Sequence, residues 1–145
     1  MIKAFEKRHV AEAAEIEKLC FSDPWSEKSF LDSIESPFSH FLVFEEEGVS
    51  GYIGLYAVSG EGSITNVAVR PEKRGLGIGE ALVKEAVKLG ETLSLEFITL
   101  EVRVSNTPAR RLYEKCGFSE VGMRRGFYSK PREDAVIMNY YFNKD

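Results

Sequence analysis

Histidine and cysteine are scarce in this sequence, with two of each among 145 residues. His9, His40, Cys20 and Cys116 match no zinc-ligand spacing, so the sequence predicts no metal site. The two cysteines lie far apart in the sequence. We therefore expect them to be small buried hydrophobic residues in a reducing compartment and not the halves of a disulfide.

Long apolar runs are also absent. No stretch approaches membrane-spanning length, and residues 1–7 lack the apolar centre of a signal peptide, so we expect a cytoplasmic protein with no membrane partner. A formal net charge of -4 and a pI near 5.4 argue against direct nucleic-acid binding. A chain that is 43% hydrophobic and 29% charged predicts one soluble domain over residues 1–145.

The charges are divided unevenly between the two halves of the chain. This division suggests an anionic ligand at the basic half and a basic substrate at the acidic half, although ordinary solvated surface charge is the alternative for each residue. The acidic residues of the first half are Glu27, Asp32, Glu35 and Glu45 to Glu47. The basic residues of the second half are Lys73, Arg74, Arg103, Arg110, Arg111, Lys115, Arg124, Arg125, Lys130 and Arg132.

The segment Ile64–Leu82 has the pattern of a strand, a glycine loop and a helix. Apolar and β-branched residues are frequent up to Val69, Pro71 ends the strand, and apolar residues then recur at helical spacing from Ile78. This segment organises the interpretation of the whole chain.

Glycines occupy positions 75, 77 and 79 of the loop. Glycine lets a ligand approach the backbone, so successive N–H groups can converge on one anion at the positive end of the following helix. Arg74 would add a cation at the edge of this site. A glycine-rich turn without a ligand is the alternative.

The loop does not match two common phosphate-binding motifs. It lacks the Gly-Lys-Ser/Thr of a P-loop, and Glu80 stands where a dinucleotide fingerprint requires its third glycine or alanine. The pattern that fits is Arg-x-x-Gly-x-Gly, formed by Arg74, Gly77 and Gly79 after an apolar strand. It resembles the acetyl-CoA pyrophosphate loop of the GNAT N-acetyltransferase superfamily.

Hydrophobic periodicity places helices and strands along the rest of the chain. The predicted helices are 10–21, 27–36, 78–89 and 107–116, and the predicted strands are 38–45, 52–58, 64–69, 95–104, 118–128 and 134–142. This order predicts the α/β (α+β) class, with a mixed central sheet flanked by helices on both faces. It agrees with the GNAT fold.

Several positions have specific structural expectations. Ser26 is predicted to cap the second helix, Gly90 to end the third, and Thr107 to cap the fourth. Glu101 is expected to point away from its apolar strand neighbours, because side chains alternate along a strand. Trp25 is either a core residue or part of a substrate groove.

The resemblance continues beyond the loop. The segments 100–106, 109–114 and 117–118 are similar to the second half of the GNAT acetyl-CoA site. Residues 24–30, with 124–128 and 133–138, resemble the RimI-type ribosomal-protein-alanine N-acetyltransferases. Two departures from that pattern, Asp23 and Phe127, fall where the peptide substrate would bind.

The resemblance implies roles for two residues. Glu101 would take a proton from the acceptor ammonium, directly or through water, and Tyr113 would protonate the departing thiolate. The alternatives are an exposed carboxylate paired with Arg103 and a core aromatic residue, respectively.

The same resemblance implies a set of residues that bind acetyl-CoA. The strand backbone would hold the acetyl and pantetheine portion and polarise the thioester carbonyl, the loop would hold the pyrophosphate, and one asparagine would contact the cofactor arm. These residues are Val67, Ala68, Val69, Arg74, Gly75, Leu76, Gly77, Ile78, Gly79, Glu80 and Asn106.

The favoured interpretation is acetylation of the N-terminal α-amine of a protein, namely the alanine of a small-subunit ribosomal protein, with acetyl-CoA as co-substrate. Two alternatives remain open. The acceptor could be another amine, such as lysine or a small molecule, or the protein could bind acetyl-CoA without catalysis.

Overall fold

The computed structural model describes residues 1–142, so the last three positions of the predicted domain lie outside it. It contains four helices and seven strands, together with 3-10 turns at Lys7–His9 and Pro71–Lys73. The helices are α1 (Val10–Cys20), α2 (Glu27–Glu35), α3 (Ile78–Thr92) and α4 (Thr107–Lys115). The strands are β1 (Ile2–Ala4), β2 (Ser39–Glu45), β3 (Val49–Val58), β4 (Glu61–Val69), β5 (Phe97–Arg103), β6 (Ser119–Ser129) and β7 (Arg132–Tyr141).

All the strands form one sheet in the order β1-β2-β3-β4-β5-β7-β6. Every neighbouring pair is antiparallel except β4 and β5, which are parallel. The sheet is therefore mixed, as predicted.

Helices cover both faces of this sheet. Alternate residues along each strand enter different cores: Tyr52 packs beneath α1 and α2, whereas its neighbour Ile53 packs beneath α3 and α4. The α1–α2 core is rich in aromatic residues, and Phe30 stacks between Phe5 and Trp25 with ring centroids 5.7 and 5.3 Å away. The predicted fold class is confirmed.

Gly90 does not end α3, which is a correction to the sequence prediction. The helix continues to Thr92, and Gly90 is buried within it. A Cβ on this residue would lie 2.8 Å from Phe142 Cζ and 3.0 Å from Ile98 Cδ1. The glycine therefore allows close packing of the helix on the sheet and is not a C-cap.

Three further local features differ from what the sequence predicted. The cap of α4 is Asn106 and not Thr107, because the Asn106 side chain accepts a hydrogen bond from the Ala109 amide at 3.3 Å. β1 was not predicted, since three residues carry too little periodicity. The β3–β4 turn is shorter than expected, with only Ser59 and Gly60 between the strands, both at positive φ.

Candidate active site

β4 and β5 are paired only where Glu61–Ser63 lies beside Phe97–Thr99. Beyond these residues the two strands separate, and a cavity of about 560 Å³ opens between them, bounded also by the α1–α2 loop, α4 and the β6–β7 hairpin. The residues that line it from β4, β5 and α4 include Asn66, Val67, Glu101, Arg103, Asn106, Ala109 and Tyr113. The fold thus brings together Val67, Glu101, Asn106 and Tyr113, which the sequence analysis had singled out.

The unpaired edge of β4 offers backbone groups to this cavity. The Arg70 amide donates to Ser50 O of β3 at 2.8 Å. Because antiparallel pairs alternate, Ala68 also pairs towards β3, whereas the N–H and C=O of Val67 and Val69 point towards the separated β5. Cys20 Sγ, 3.5 Å from Val69 O, lies on this same side. Of the three predicted strand residues, Val67 and Val69 therefore direct their backbone groups to the unpaired edge of β4, and Val67 lines the cavity.

The glycine loop is open to its surroundings at two of its three glycines. Gly75 and Gly77 have φ of 81° and 83°, and a Cβ built on either residue has no neighbour within 4 Å. The first helical hydrogen bond of α3 is donated by the Ala81 amide to Gly77 O. No amide from 75 to 80 donates to a backbone carbonyl in the part of the chain that the structure describes.

These features fit an anionic group such as the pyrophosphate of acetyl-CoA. The helix dipole adds a partial positive charge at the same place. Leu76 and Ile78 can contribute only their backbones, because the Leu76 side chain points to solvent and the Ile78 side chain is buried in the core.

Two charged residues flank the loop. Arg74 Nη2 lies 3.2 Å from Cys20 Sγ, which places the guanidinium between the loop and the end of α1. The Glu80 carboxylate pairs with Lys84 at 2.7 Å and Lys115 at 3.0 Å, and hydrogen bonds from these lysines hold its pKa below the usual value. The Glu80 side chain is thus engaged on the α3 surface, and its contribution to the loop is its amide.

Glu101 lies near the middle of β5, where it alternates with the buried residues Leu100 and Val102. Its side chain is 27% exposed, and Oε2 lies 3.3 Å from Arg124 Nε of β6. Arg103 is not its partner, because that guanidinium pairs with Glu133. The carboxylate is therefore accessible from the cavity beside one exposed arginine.

Tyr113 faces the cavity from α4 and is almost wholly buried, with 6% of the residue exposed. Its ring packs against Phe118 at a centroid distance of 5.9 Å. Burial raises the pKa of the Tyr113 hydroxyl, with smaller contributions from Tyr128 and Cys116. Burial therefore favours the protonated form of the phenol.

Arg103 fastens the β6–β7 hairpin to the sheet, a role that the sequence analysis missed. Its guanidinium donates to Pro131 O at 2.9 Å, Lys130 O at 3.0 Å and Glu133 Oε1 at 3.1 Å. It also lies 4.3 Å from the centroid of the Tyr128 ring, which lines the cavity. This side chain therefore fixes one wall of the cavity.

Glu17 fastens the opposite wall. This buried carboxylate accepts hydrogen bonds from the Trp25 amide at 2.8 Å, from Asn66 Nδ2 at 3.4 Å and from the Tyr52 hydroxyl. The sequence contained a signal for this role. The buried face of α1 follows the spacing i, i+3, i+4, i+7, which gives Val10, Ala13, Ala14 and Glu17. Glu17 is therefore a carboxylate at a position where the helical pattern predicts burial.

The two walls meet above the cavity. Ser22 of the α1–α2 loop donates a hydrogen bond to the carbonyl oxygen of Lys130 in the β6–β7 hairpin. Trp25 lines the cavity beside this contact and also packs against Phe41, so it lies between the α1–α2 core and the cavity, and its role in a substrate groove stays a prediction. The cavity is thereby enclosed by segments more than one hundred residues apart in sequence.

Two further findings concern the described residues as a whole. None of the helices within residues 1–142 is both long and apolar enough to cross a membrane. In the same range, no three His, Cys, Asp or Glu residues are grouped so that they could hold a metal ion.

The chain matches the model of a known protein family. The family model described as "Acetyltransferase (GNAT) family" matches residues 10–118, which is most of the chain. The protein belongs to the GNAT acetyltransferase family and is an acetyl-CoA-dependent N-acetyltransferase.

Individual relatives of this chain have more specific names than the family model. A Bacillus subtilis protein provisionally named ribosomal protein bS18-alanine N-acetyltransferase is 43% identical over 126 residues, which cover 86% of this chain and 83% of that protein. The ribosomal protein bS18-alanine N-acetyltransferase of Escherichia coli K12 is 32% identical over 139 residues, 94% of each chain.

The fold of this chain is also similar to that of solved structures. The crystal structure of the ribosomal-protein-S18-alanine N-acetyltransferase from Escherichia coli superposes with a TM-score of 0.91 at 30% identity, covering 100% of this chain and 95% of that one. The structure of Ard1 from Thermoplasma volcanium gives a TM-score of 0.90 at 25% identity, covering 99% and 98%.

Proposed function

We propose that this protein transfers the acetyl group of acetyl-CoA to the α-amine of the N-terminal alanine of a small-subunit ribosomal protein. The observation that carries the proposal is the cavity between β4 and β5, in which Glu101 and Tyr113 both face the free backbone edge at Val67. The names of the two relatives at 43% and 32% identity support the choice of acceptor.

The cofactor would bind along the edge of β4 and across the glycine loop. Acetyl-CoA supplies an acetyl thioester, whose carbonyl oxygen is stabilised when a backbone N–H donates to it as negative charge develops. The amides of Val67 and Val69 are the donors with the required direction. Gly75, Gly77 and Gly79 would hold the pyrophosphate, and Asn106 Nδ2, left free when Oδ1 caps α4, would contact the cofactor arm.

Two side chains would move the protons. The Glu101 carboxylate accepts the proton that the acceptor ammonium must lose before its nitrogen can attack the acetyl carbon. The Tyr113 hydroxyl donates a proton to the sulfur as the carbon–sulfur bond breaks, and it regains a proton when the attacking nitrogen loses its second one, so that the products are the amide and the free thiol. The two roles require opposite protonation states, and the partly exposed carboxylate and the buried phenol provide them.

An α-amine suits this site better than a lysine side chain. Reference pKa values are near 8 for an α-amino group and about 10.4 for lysine, so their neutral fractions at pH 7 differ by roughly a few hundredfold. A single carboxylate is a sufficient base for the α-amine.

A peptide panel tests the proposal. Peptides that begin with alanine followed by an arginine-rich sequence are compared with the same peptides carrying a blocked N-terminus and one free lysine, and released coenzyme A is measured. We expect acetylation of the first set only. Faster acetylation of the blocked set would exclude an α-amine specificity, and absence of turnover with both sets would support cofactor binding without catalysis.

A further inference from the structure

A second cavity, of about 330 Å³, lies against α2 and adjoins the cavity between β4 and β5. The two share Trp25 and Thr65 in their linings, so they lie next to each other on either side of these residues. We call this second cavity the exit groove. Its lining also includes Asp32, Ser33, Ser36 and Tyr56.

The exit groove lies on the face of the sheet that α1 and α2 cover, whereas the glycine loop begins the helix that covers the other face. An acceptor polypeptide that places its first amine beside Glu101 must direct its following residues away from the cofactor. The exit groove lies on that side and adjoins the active cavity at Trp25 and Thr65.

The walls of the exit groove have the chemistry to bind an extended peptide. Ser33, Ser36 and Thr65 offer hydroxyl groups that can pair with backbone amides and carbonyls. Trp25 and Tyr56 offer aromatic faces on which a guanidinium can stack. Asp32 provides a carboxylate that is 63% exposed.

Lys28 at present pairs with Asp32 at 2.8 Å, one helical turn away. The lysine side chain is 83% exposed, and pairs of this kind contribute little to stability. A basic side chain of a bound peptide can therefore replace Lys28 at small cost. Asp32 could then pair with that basic side chain, and Lys28 would compete with it for the Asp32 carboxylate.

We propose that the exit groove binds the residues that follow the first residue of the acceptor, and that Asp32 selects a basic side chain among them. The inference rests on the proposed function, because a small-molecule amine would not extend into the groove. It goes further in naming where the acceptor chain runs and what sequence it favours.

The test uses alanine-first peptides in which one arginine is moved through positions 2 to 6 of an otherwise neutral sequence. The ratio of kcat/KM for each arginine peptide to that for its glutamine counterpart is measured for four proteins: wild type, Asp32→Asn, Lys28→Gln and Glu27→Gln. Glu27 is the control, because it is an acidic residue of the same helix that does not line the groove.

We expect wild type to prefer arginine at one position, and Asp32→Asn to reduce that preference about 2- to 5-fold. Lys28→Gln should increase the preference, Glu27→Gln should leave it unchanged, and added salt should weaken it. The rate with the neutral peptide should be the same in wild type and Glu27→Gln, which confirms that the control variant is intact.

Two negative outcomes have different meanings. If wild type acetylates the peptides and Asp32→Asn keeps the same arginine ratio at every position, the exit groove proposal is wrong while the proposed function stands. If wild type acetylates none of them, the proposed function fails, and this inference fails with it.

Discussion

The two sides of the active cavity are built in different ways. The side at which we propose that the cofactor binds consists of backbone amides from one continuous segment, in which Gly75 and Gly77 have open space around them. The acceptor side is held by side chains that connect distant segments, as when Arg103 holds the β6–β7 hairpin and Glu17 holds the α1–α2 loop. The comparison suggests that binding of the common cofactor depends on local sequence, whereas choice of acceptor depends on tertiary contacts.

The largest expected effects come from substituting Glu101 or Tyr113, the two residues that we propose move protons during the transfer. Glu101→Gln should reduce turnover about 100- to 10,000-fold at neutral pH. The loss should be smaller at high pH, where acceptor amines are already neutral. Steady-state rates from pH 6 to 10 measure this, and a near-wild-type rate at pH 7 would remove Glu101 from the mechanism.

Tyr113→Phe should reduce turnover by a similar factor at neutral and at high pH, because phenylalanine has no proton to donate to the departing sulfur. Tyr141→Phe is the control, since Tyr141 is exposed at the end of β7. Equal rates for the two variants would contradict a proton donor role for Tyr113.

The cofactor side is tested alone by Gly77→Val. This change should weaken acetyl-CoA binding at least about 100-fold, because two charge-assisted hydrogen bonds worth roughly 1.5 kcal/mol each would be lost. Calorimetry measures the affinity. Gly60→Val is the matched control, because Gly60 has a similar φ of 80° in a hairpin turn outside the cavity. Equal cofactor affinity in the two variants would contradict the loop assignment.

The acceptor side is tested alone by Arg103→Lys. Lysine cannot reproduce the forked contacts with Pro131, Lys130 and Glu133, so KM for the acceptor peptide should rise about 10-fold. KM for acetyl-CoA should stay constant. Arg125→Lys is the control, because Arg125 is exposed on β6 and lies outside the cavity. A parallel rise in both KM values would indicate a general loss of structure and would contradict the separation of the cofactor side from the acceptor side.

The smallest effect concerns a region remote from both sides. Hydrogen bonds from Arg8 and Lys3 hold the pKa of Glu45 at about 2. A carboxylate with a lowered folded-state pKa stabilises the protein above its unfolded-state pKa of about 4.5, and this stabilisation disappears as the pH falls towards 2. Glu45→Gln should therefore lower Tm at pH 7 slightly and reduce its dependence on pH between 4.5 and 2. Glu27→Gln, followed by the same thermal melts, is the control, and an identical pH dependence in both variants would contradict the effect.

The sequence predicted the strand, glycine loop and helix of the proposed cofactor side because their signals are local. The Arg-x-x-Gly-x-Gly pattern, the strand before it and the helix after it all lie within twenty residues. The alternation that exposes Glu101 and the α4 face that buries Tyr113 are likewise short-range patterns. Most strands and helices were predicted for the same reason.

What the sequence did not predict depends on contacts between distant residues. Ser22 and Lys130 are 108 positions apart, and no local pattern announces their hydrogen bond. The close packing at Gly90 requires knowledge of where Phe142 lies. Arg103 was considered only as a partner of Glu101, since a neighbour on the same strand face is visible in sequence and the hairpin carbonyls are not.

The central claim is that this enzyme acetylates a ribosomal N-terminal alanine, and mass spectrometry of ribosomal protein N-termini tests it most directly. In cells lacking this enzyme, one small-subunit protein should carry an unmodified N-terminal alanine. Wild-type protein should restore the acetyl group, and Glu101→Gln should not. An unchanged acetylation state of every small-subunit ribosomal protein would contradict the account.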